Sequence, residues 1–497
     1  MIIKAILKPI IDSFFKSIIG ATLIVSGLIK ANDIIGFGIK LSEYFEDGAL
    51  AYRIQDMFGW SSFSLEWLID YSLYLAIFIC VLEIVLGFCL IVGARIKETV
   101  FLLMSMLLFF LVLTLHTATC DSTVPSSTGI SIQCVTDCGC FGDALKFTPW
   151  GSFMKDLVLI ILLIISSIIT FDLHKVKKNR PFKVSYLNSL FDDLFAIIFT
   201  FIFTLIWCII VSWYFPLLMV LIFFIIYFLI KKYYSSEILI VLSVSLVSLI
   251  FSYYTLNNLP VKDFRAYKVG SDVRDIEFWT INGILEPCEN FKPLCKLSPE
   301  DSCPDIKSTD PRCVDPNSCQ YNPAFKDGDV WPYDSNGNGK IDEGEYWQWG
   351  PDYKFGHIEW WGCENNYPDE NGDCPPNKAV SDNNVADILQ DFEKLALIVC
   401  SDFEKSDQTI YSKINSLKIK MIENGINTFY VFTVEPNSEQ IEKIIDGSPY
   451  LIIDEKEAKT IIRSNPGILL MQKGIIKQKW HYNNIPDLKE VLKILND

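Results

Sequence analysis

Positive charge is scarce in this chain. Its 497 residues carry 43 Lys and Arg against 59 Asp and Glu, for a net charge of −16 that comes mainly from the part after Asp272. An acidic exterior argues against nucleic acid as a partner. The first apolar run lacks a small-x-small cleavage site, and a Lys closely follows its Ser17–Ile29 core. It therefore reads as a membrane helix and not as a removable signal peptide. No internal repeat is present. Cysteine is missing from every loop that carries an excess of Lys and Arg.

Apolar side chains are abundant: 51% of residues are hydrophobic, 35 are Phe, and the mean hydropathy is +0.29. A bilayer is crossed by roughly 20 apolar residues. Seven runs reach that length, at about 12–31, 65–93, 98–116, 152–171, 193–213, 215–230 and 237–257. The sixth is short and reads alternatively as a re-entrant passage; five spans is the alternative count to seven. Lys4, Lys8 and Lys16 flank the first run, Arg95 and Lys97 follow the second, Lys175 to Lys183 follow the fourth, and Lys231 and Lys232 follow the sixth. Loops rich in Lys and Arg stay cytoplasmic. The 32–64 loop, the 117–149 loop and everything after Leu259 then lie outside. Of the 15 cysteines, three fall inside runs (Cys80, Cys89, Cys208) and the other 12 on that outer side. Disulfides persist in an oxidising compartment and not in the cytosol, so two unrelated signals give one topology, with membrane lipid as the first partner.

The 117–149 loop holds Cys120, Cys134 and the turn Cys138-Gly139-Cys140-Phe141-Gly142. Two cysteines one residue apart can bond only in a strained ring, and strain makes a disulfide labile. One reading is a redox pair at Cys138 and Cys140. Another is static bridges in which each pairs with Cys120 or Cys134. A third is a metal site completed by His116, which otherwise reads as a helix-end residue. Glu83 sits in mid-span, where a carboxylate is costly and faces a bundle interior. It reads either as a proton acceptor or as a neutral, hydrogen-bonded structural group. Lys30 and Arg95 fall at run ends, where snorkelling accounts for them.

Residues 281–390 are rich in Cys, Pro, Asn, Asp and Trp, a composition that needs staples. Cys288, Cys295, Cys303, Cys313, Cys319, Cys363 and Cys374 supply them, with connectivity open. Among them, Asp334 to Glu345 fits a twelve-residue calcium loop position by position. Asp334, Asn336, Asn338 and Asp342 offer side-chain oxygens, Lys340 its carbonyl, Glu345 a bidentate carboxylate, and Gly339 the sharp turn. Trp331-Pro332 leaves no room for an incoming helix, so the expected calcium is structural. A solvated acidic turn is the alternative.

From Lys394 onward the pattern predicts a strand at 395–399, a helix at 407–424, a strand at 428–432, a helix at 439–445, a strand at 450–453, a hairpin of 467–471 with 475–480, and a closing helix at 486–495. That order fits one mixed sheet with helices on both faces.

Asp137-Cys138-Gly139-Cys140-Phe141-Gly142, with Trp150 and Asp156-Leu157, resembles the signature loop of the DoxX/MauE membrane proteins. Ser26-Gly27-Leu28-Ile29-Lys30 and Leu82-Glu83-Ile84-Val85-Leu86-Gly87 resemble that family's first two spans. The resemblance covers about 1–175 and implies a four-helix membrane unit in a bacterial inner membrane. It also implies redox-linked maturation of extracytoplasmic client proteins, with quinone as an electron acceptor. The C-terminal part resembles a thioredoxin-like domain. Ser464-Asn465-Pro466-Gly467 stands where that fold keeps a cis-proline, but Cys400-Ser401-Asp402-Phe403 offers one Cys and no Cys-x-x-Cys.

The expected fold is therefore multi-domain: an α-helical membrane bundle followed by an extracytoplasmic α/β domain. Its parts are a four-helix unit (1–175), a basic connector with about three further spans (176–259), a Cys-rich insert (260–392) and a thioredoxin-like domain (393–497). Thiol–disulfide relay or protein maturation is the expected function. A non-enzymatic envelope scaffold and a quinone-linked sulfur oxidoreductase are the rivals.

Overall fold

The computed structural model describes residues 2–60, 62–120, 132, 134–135, 139, 141–177, 182–234, 236–273, 379–380, 392–406, 408–433, 444 and 450–496. The Asp334–Glu345 loop, the seven cysteines around it, Cys138, Cys140 and the helix expected at 439–445 fall outside the described residues, apart from residue 444. The chain divides into two compact units, Met1–Arg265 and Ala266–Asp497.

The first unit is helical. Its elements are α1 (Ile2–Asn32), α2 (Ile34–Phe45), α3 (Tyr52–Phe58), α4 (Ser72–Val92), α5 (Ile96–Thr119), α6 (Pro149–Lys177), α7 (Phe182–Ile210), α8 (Phe215–Tyr233) and α9 (Glu237–Leu256). Among the described residues, seven helical stretches are long and apolar enough to cross a membrane: Pro9–Asn32, Glu66–Val92, Ile96–Thr119, Pro149–Phe171, Asp193–Ile210, Phe215–Tyr233 and Glu237–Leu256. The sixth runs for 19 residues as one helix, with Pro216 in its first turn, where the missing N–H costs nothing. Phe101, Ile168, Leu242 and Ile250 stand exposed on the outside of the bundle, as lipid-facing side chains do.

The middle of α1 is almost wholly buried, so α1 is the bundle's inner helix. It meets α4 at glycines. A Cβ on Gly20 would stand 2.5 Å from the Gly87 carbonyl oxygen, and one on Gly87 would stand 2.9 Å from that of Gly20. Small residues let membrane helices approach until their backbones touch. That crossing sets the depth at which α1 and α4 exchange polar side chains.

The second unit is built on one six-stranded mixed sheet, in the order β1-β4-β3-β2-β5-β6. The strands are β1 (Ala379–Val380), β2 (Leu395–Val399), β3 (Asn427–Phe432), β4 (Tyr450–Ile452), β5 (Gly467–Gln472) and β6 (Ile475–His481). β2 lies between parallel β3 and antiparallel β5, and all its residues are buried. It therefore has the continuous apolar run of a central strand. The helices are α10 (Ile410–Glu423), α11 (Glu455–Ile461) and α12 (Leu488–Asn496). Tyr267 is buried and donates a hydrogen bond of 2.7 Å to Glu457 on α11, which pins the start of this unit to its core. The Asn465–Pro466 peptide that leads into β5 is cis.

Candidate functional site

The glycine crossing brings Ser26 and Lys30, one helical turn apart on α1, against Glu83 of α4. Ser26 Oγ donates to Glu83 Oε1 at 2.9 Å, and Lys30 Nζ donates to Oε2 at 2.8 Å. Both charged residues are only 2% exposed. This corrects the snorkelling expected of Lys30: its amine turns inward because a carboxylate waits there and two aromatic faces shield it. Nζ lies 4.5 Å from the centre of the Phe110 ring and 5.2 Å from that of Phe37, distances at which ring quadrupoles attract a cation.

Lys30 also lines a small cavity between α1, α2 and α5, together with Phe37, Lys40, Tyr44, Phe110 and Thr114. Gly139, whose carbonyl accepts from the Gly142 N–H at 3.0 Å to close a turn, lies against its wall. Gly139 adopts φ +60°, and a Cβ there would stand 3.3 Å from Lys40 Cγ and 4.0 Å from the Phe37 ring. A residue with positive φ and so little room favours glycine. Phe141 anchors the same turn. It is buried, stacks on Trp207 at 4.9 Å, and has the Lys155 amine 5.5 Å from its ring centre. Close by, Arg265 is buried and grips Asp263 through two nitrogens, at 2.7 and 2.8 Å. Burial works to lower its pKa, but the carboxylates of Asp263, Asp33 and Asp143 outweigh it and hold the pKa above the ordinary value.

Cys120 and Cys134 form a disulfide with each other. This overturns the static arrangement in which each of them bonds Cys138 or Cys140. The disulfide lies at the end of α5, with both cysteines half-buried. His116, one turn earlier, stands in the last turn of α5, as its helix-end reading expects, and is buried. The sequence reading missed its setting, and missed that Ser26 and Lys30 face Glu83. Ser26 and Lys30 share an i, i+4 face of α1, the one signal that could have joined them. Among the described residues, no group of three or more His, Cys, Asp and Glu is placed to hold a metal ion.

In the second unit, Cys400 follows β2 and is buried. Tyr411 donates a hydrogen bond of 3.0 Å to its sulfur. Burial pushes the thiol pKa up to about 11, against a smaller opposing pull from Tyr411. Asn465, just before the cis peptide, closes over the turn after Cys400: its side-chain amide donates to the Asp402 carbonyl at 2.5 Å and its oxygen accepts from the Asp402 N–H at 3.3 Å. A buried, protonated thiol is a poor nucleophile. His481, expected on the surface, is buried instead, and its Nδ1 accepts from the Asn483 N–H at 3.2 Å. Burial lowers its pKa to about 4.

Compared with family models, curated proteins and solved structures, the chain has no match among them.

Proposed function

We propose that the chain is an integral membrane protein of the DoxX/MauE type, supporting thiol–disulfide relay or the maturation of extracytoplasmic proteins at a bacterial inner membrane. The observation that carries this reading is the seat of Gly139. The residue between Cys138 and Cys140 packs on Lys40 and Phe37, wall residues of the cavity that Lys30 enters while bonded to Glu83. In this reading Cys138 and Cys140 are the exchanging pair. Closing two thiols into a disulfide releases two protons and two electrons. Glu83, paired with Lys30 at 2.8 Å, is the carboxylate at hand to take a proton. A quinone would take the electrons.

The second unit supports a thioredoxin-like reading through the placement of β2 between parallel β3 and antiparallel β5. With Cys400 buried and alone, its part is to present or recognise a client rather than to exchange disulfides. Calcium at Asp334, Asn336, Asn338, Lys340, Asp342 and Glu345 would stiffen the insert. Terbium luminescence sensitised by Trp331, lost in Glu345→Gln, tests that site.

The test of the main reading is a thiol-trapping gel shift on intact cells, comparing wild type with Cys138→Ser and Cys140→Ser. A mixed disulfide trapped in one variant supports exchange. A fully oxidised pair that resists mild reductant rejects it. The second reading, an envelope scaffold with static disulfides, is favoured by the Cys120–Cys134 bond and the closed setting of Cys400. Loss of the whole protein in both Ser variants would support it. Quinone reduction by the purified protein with thiosulfate would point instead to a small-molecule sulfur oxidoreductase.

A further inference from the structure

We infer that the segment between α2 and α4 is an interfacial membrane anchor. Its aromatic face lies at the boundary of lipid head groups and acyl chains, on the side of the Cys120–Cys134 disulfide. The inference rests on the membrane reading above and not on the chemistry of any cysteine.

By sequence, 32–64 reads as a loop outside the membrane. In the structure it forms α2 and α3, and a 3-10 turn, Glu66–Tyr71, then leads into α4. The segment is held from behind. Tyr52 and Gln55 of α3 are buried, and Gln55 Nε2 donates to the Phe63 carbonyl at 2.7 Å. Ser64 Oγ donates to Asp47 Oδ1 at 2.7 Å. Leu65, Leu68 and Ile69 pack inward on the core of the bundle. The side left outside is apolar and aromatic. Met57, Phe58 and Trp60 are exposed, and the Phe58 and Trp60 rings stack at 5.3 Å. Trp67, Tyr71, Tyr74 and Phe78 are exposed as well. They follow one another at intervals of four, three and four residues, the spacing of one helical face.

A contiguous set of exposed rings marks a contact surface. Two features choose lipid as what covers it. First, the surface is continuous with a span. Trp67, Tyr74 and Phe78 belong to the membrane-crossing stretch Glu66–Val92, and Phe58 and Trp60 precede it directly. Second, other spans carry exposed rings where they begin or end on this side. Trp150 opens α6, Tyr214 precedes α8, and Tyr253 and Tyr254 stand in the last turn of α9. Trp and Tyr gather at the level where lipid meets water, and Trp67 holds the same place at the start of its own span. Asp56, Glu66 and Asp70 are exposed among the rings. Carboxylates stay with water, so the segment lies along the head groups and does not enter the acyl core. The anchor is tied to the end of α5. Arg53 of α3 donates to the Thr119 carbonyl at 2.5 Å, and the Tyr52 hydroxyl lies 4.0 Å from Cys120 Sγ. The lipid surface thereby fixes the level at which the Cys120–Cys134 disulfide stands.

Photochemical crosslinking of the full chain in phosphatidylcholine vesicles tests the anchor. The photoreactive residue p-benzoylphenylalanine replaces Phe58, Trp60 or Trp67 in separate variants. A fourth variant carries it at Leu246, an exposed side chain in the middle of α9. All four positions are exposed, so the replacements leave the core packing alone. After irradiation, mass spectrometry identifies what each position has captured. Lipid adducts are expected at Phe58, Trp60 and Trp67, in yields comparable to Leu246. Lipid capture at Trp67 but not at Phe58 or Trp60 would confine the contact to the span and overturn the anchor. Capture of a second copy of the chain at Phe58 and Trp60, or of nothing, would overturn it too, while lipid adducts at Leu246 would leave the membrane reading standing. Loss of lipid adducts at Leu246 as well would overturn both.

Discussion

Lys30, in the last turn of α1, and Glu83, in the middle of α4, pair at 2.8 Å in the core of the helical unit. The contact exists because the two backbones touch at Gly20 and Gly87, and because Ser26 accompanies Lys30 on the same face.

Removing one partner of a buried ion pair strands the other charge and costs about 3–5 kcal/mol, whereas replacing both is often neutral. Glu83→Leu and Lys30→Met should each lower the unfolding temperature in detergent, and the double variant should recover most of the loss. Additive losses in the double variant would show that the two residues are not coupled.

The glycine crossing makes a separate prediction. Gly20→Ala forces a methyl group against the Gly87 carbonyl and should cost about 1–3 kcal/mol, the usual penalty of overpacking. Gly38→Ala is the control, because a Cβ there meets its nearest neighbour, Leu73, at an ordinary 3.4 Å. Equal thermal shifts in the two variants would contradict the crossing.

Cys400 should stay unmodified when the native protein is treated with maleimide at pH 8, since its thiol pKa is pushed up to about 11 by burial. It should react once the protein is unfolded in urea. Rapid labelling of the native state would mean that the β2 end is open and would revive thiol chemistry there.

His481 makes the second unit sensitive to acid. Its pKa is lowered from 6.5 to about 4 by burial, so the unfolded state takes up a proton before the folded state does. The stabilisation is complete above about pH 6.5 and is lost as pH falls towards 4, by about 2–3 kcal/mol in all. Hydrogen exchange of β6 amides, corrected for intrinsic rates, should be faster at pH 5 than at pH 7 in the wild type. His481→Asn should flatten that difference.

Removing the Tyr267 hydroxyl deletes its buried hydrogen bond to Glu457. Tyr267→Phe should cost about 1–3 kcal/mol and show as faster exchange across α11. Unchanged exchange there would mean that the Tyr267 ring alone holds the segment.

The sequence by itself determined the membrane-crossing runs, because the bilayer admits only long apolar stretches and seven were present to be counted. It determined β2 through β6 nearly to their ends, since a central strand must be apolar throughout and a hairpin needs Gln472-Lys473-Gly474 at its turn. Glu83 was legible as a bundle residue because lipid does not tolerate a bare carboxylate. Its partner was not legible, for a Lys at the end of a run reads the same whether it snorkels or turns inward. Only the approach of α1 to α4 decided that. The depth of His116 and His481 was likewise hidden, because burial depends on what packs above a side chain and not on its neighbours in sequence. The pairing of Cys120 with Cys134 needed the loop's path in space, since four cysteines in one loop leave several pairings open. The seat of Gly139 over Phe37 and Lys40 joins two segments a hundred residues apart, and no local pattern carries that information.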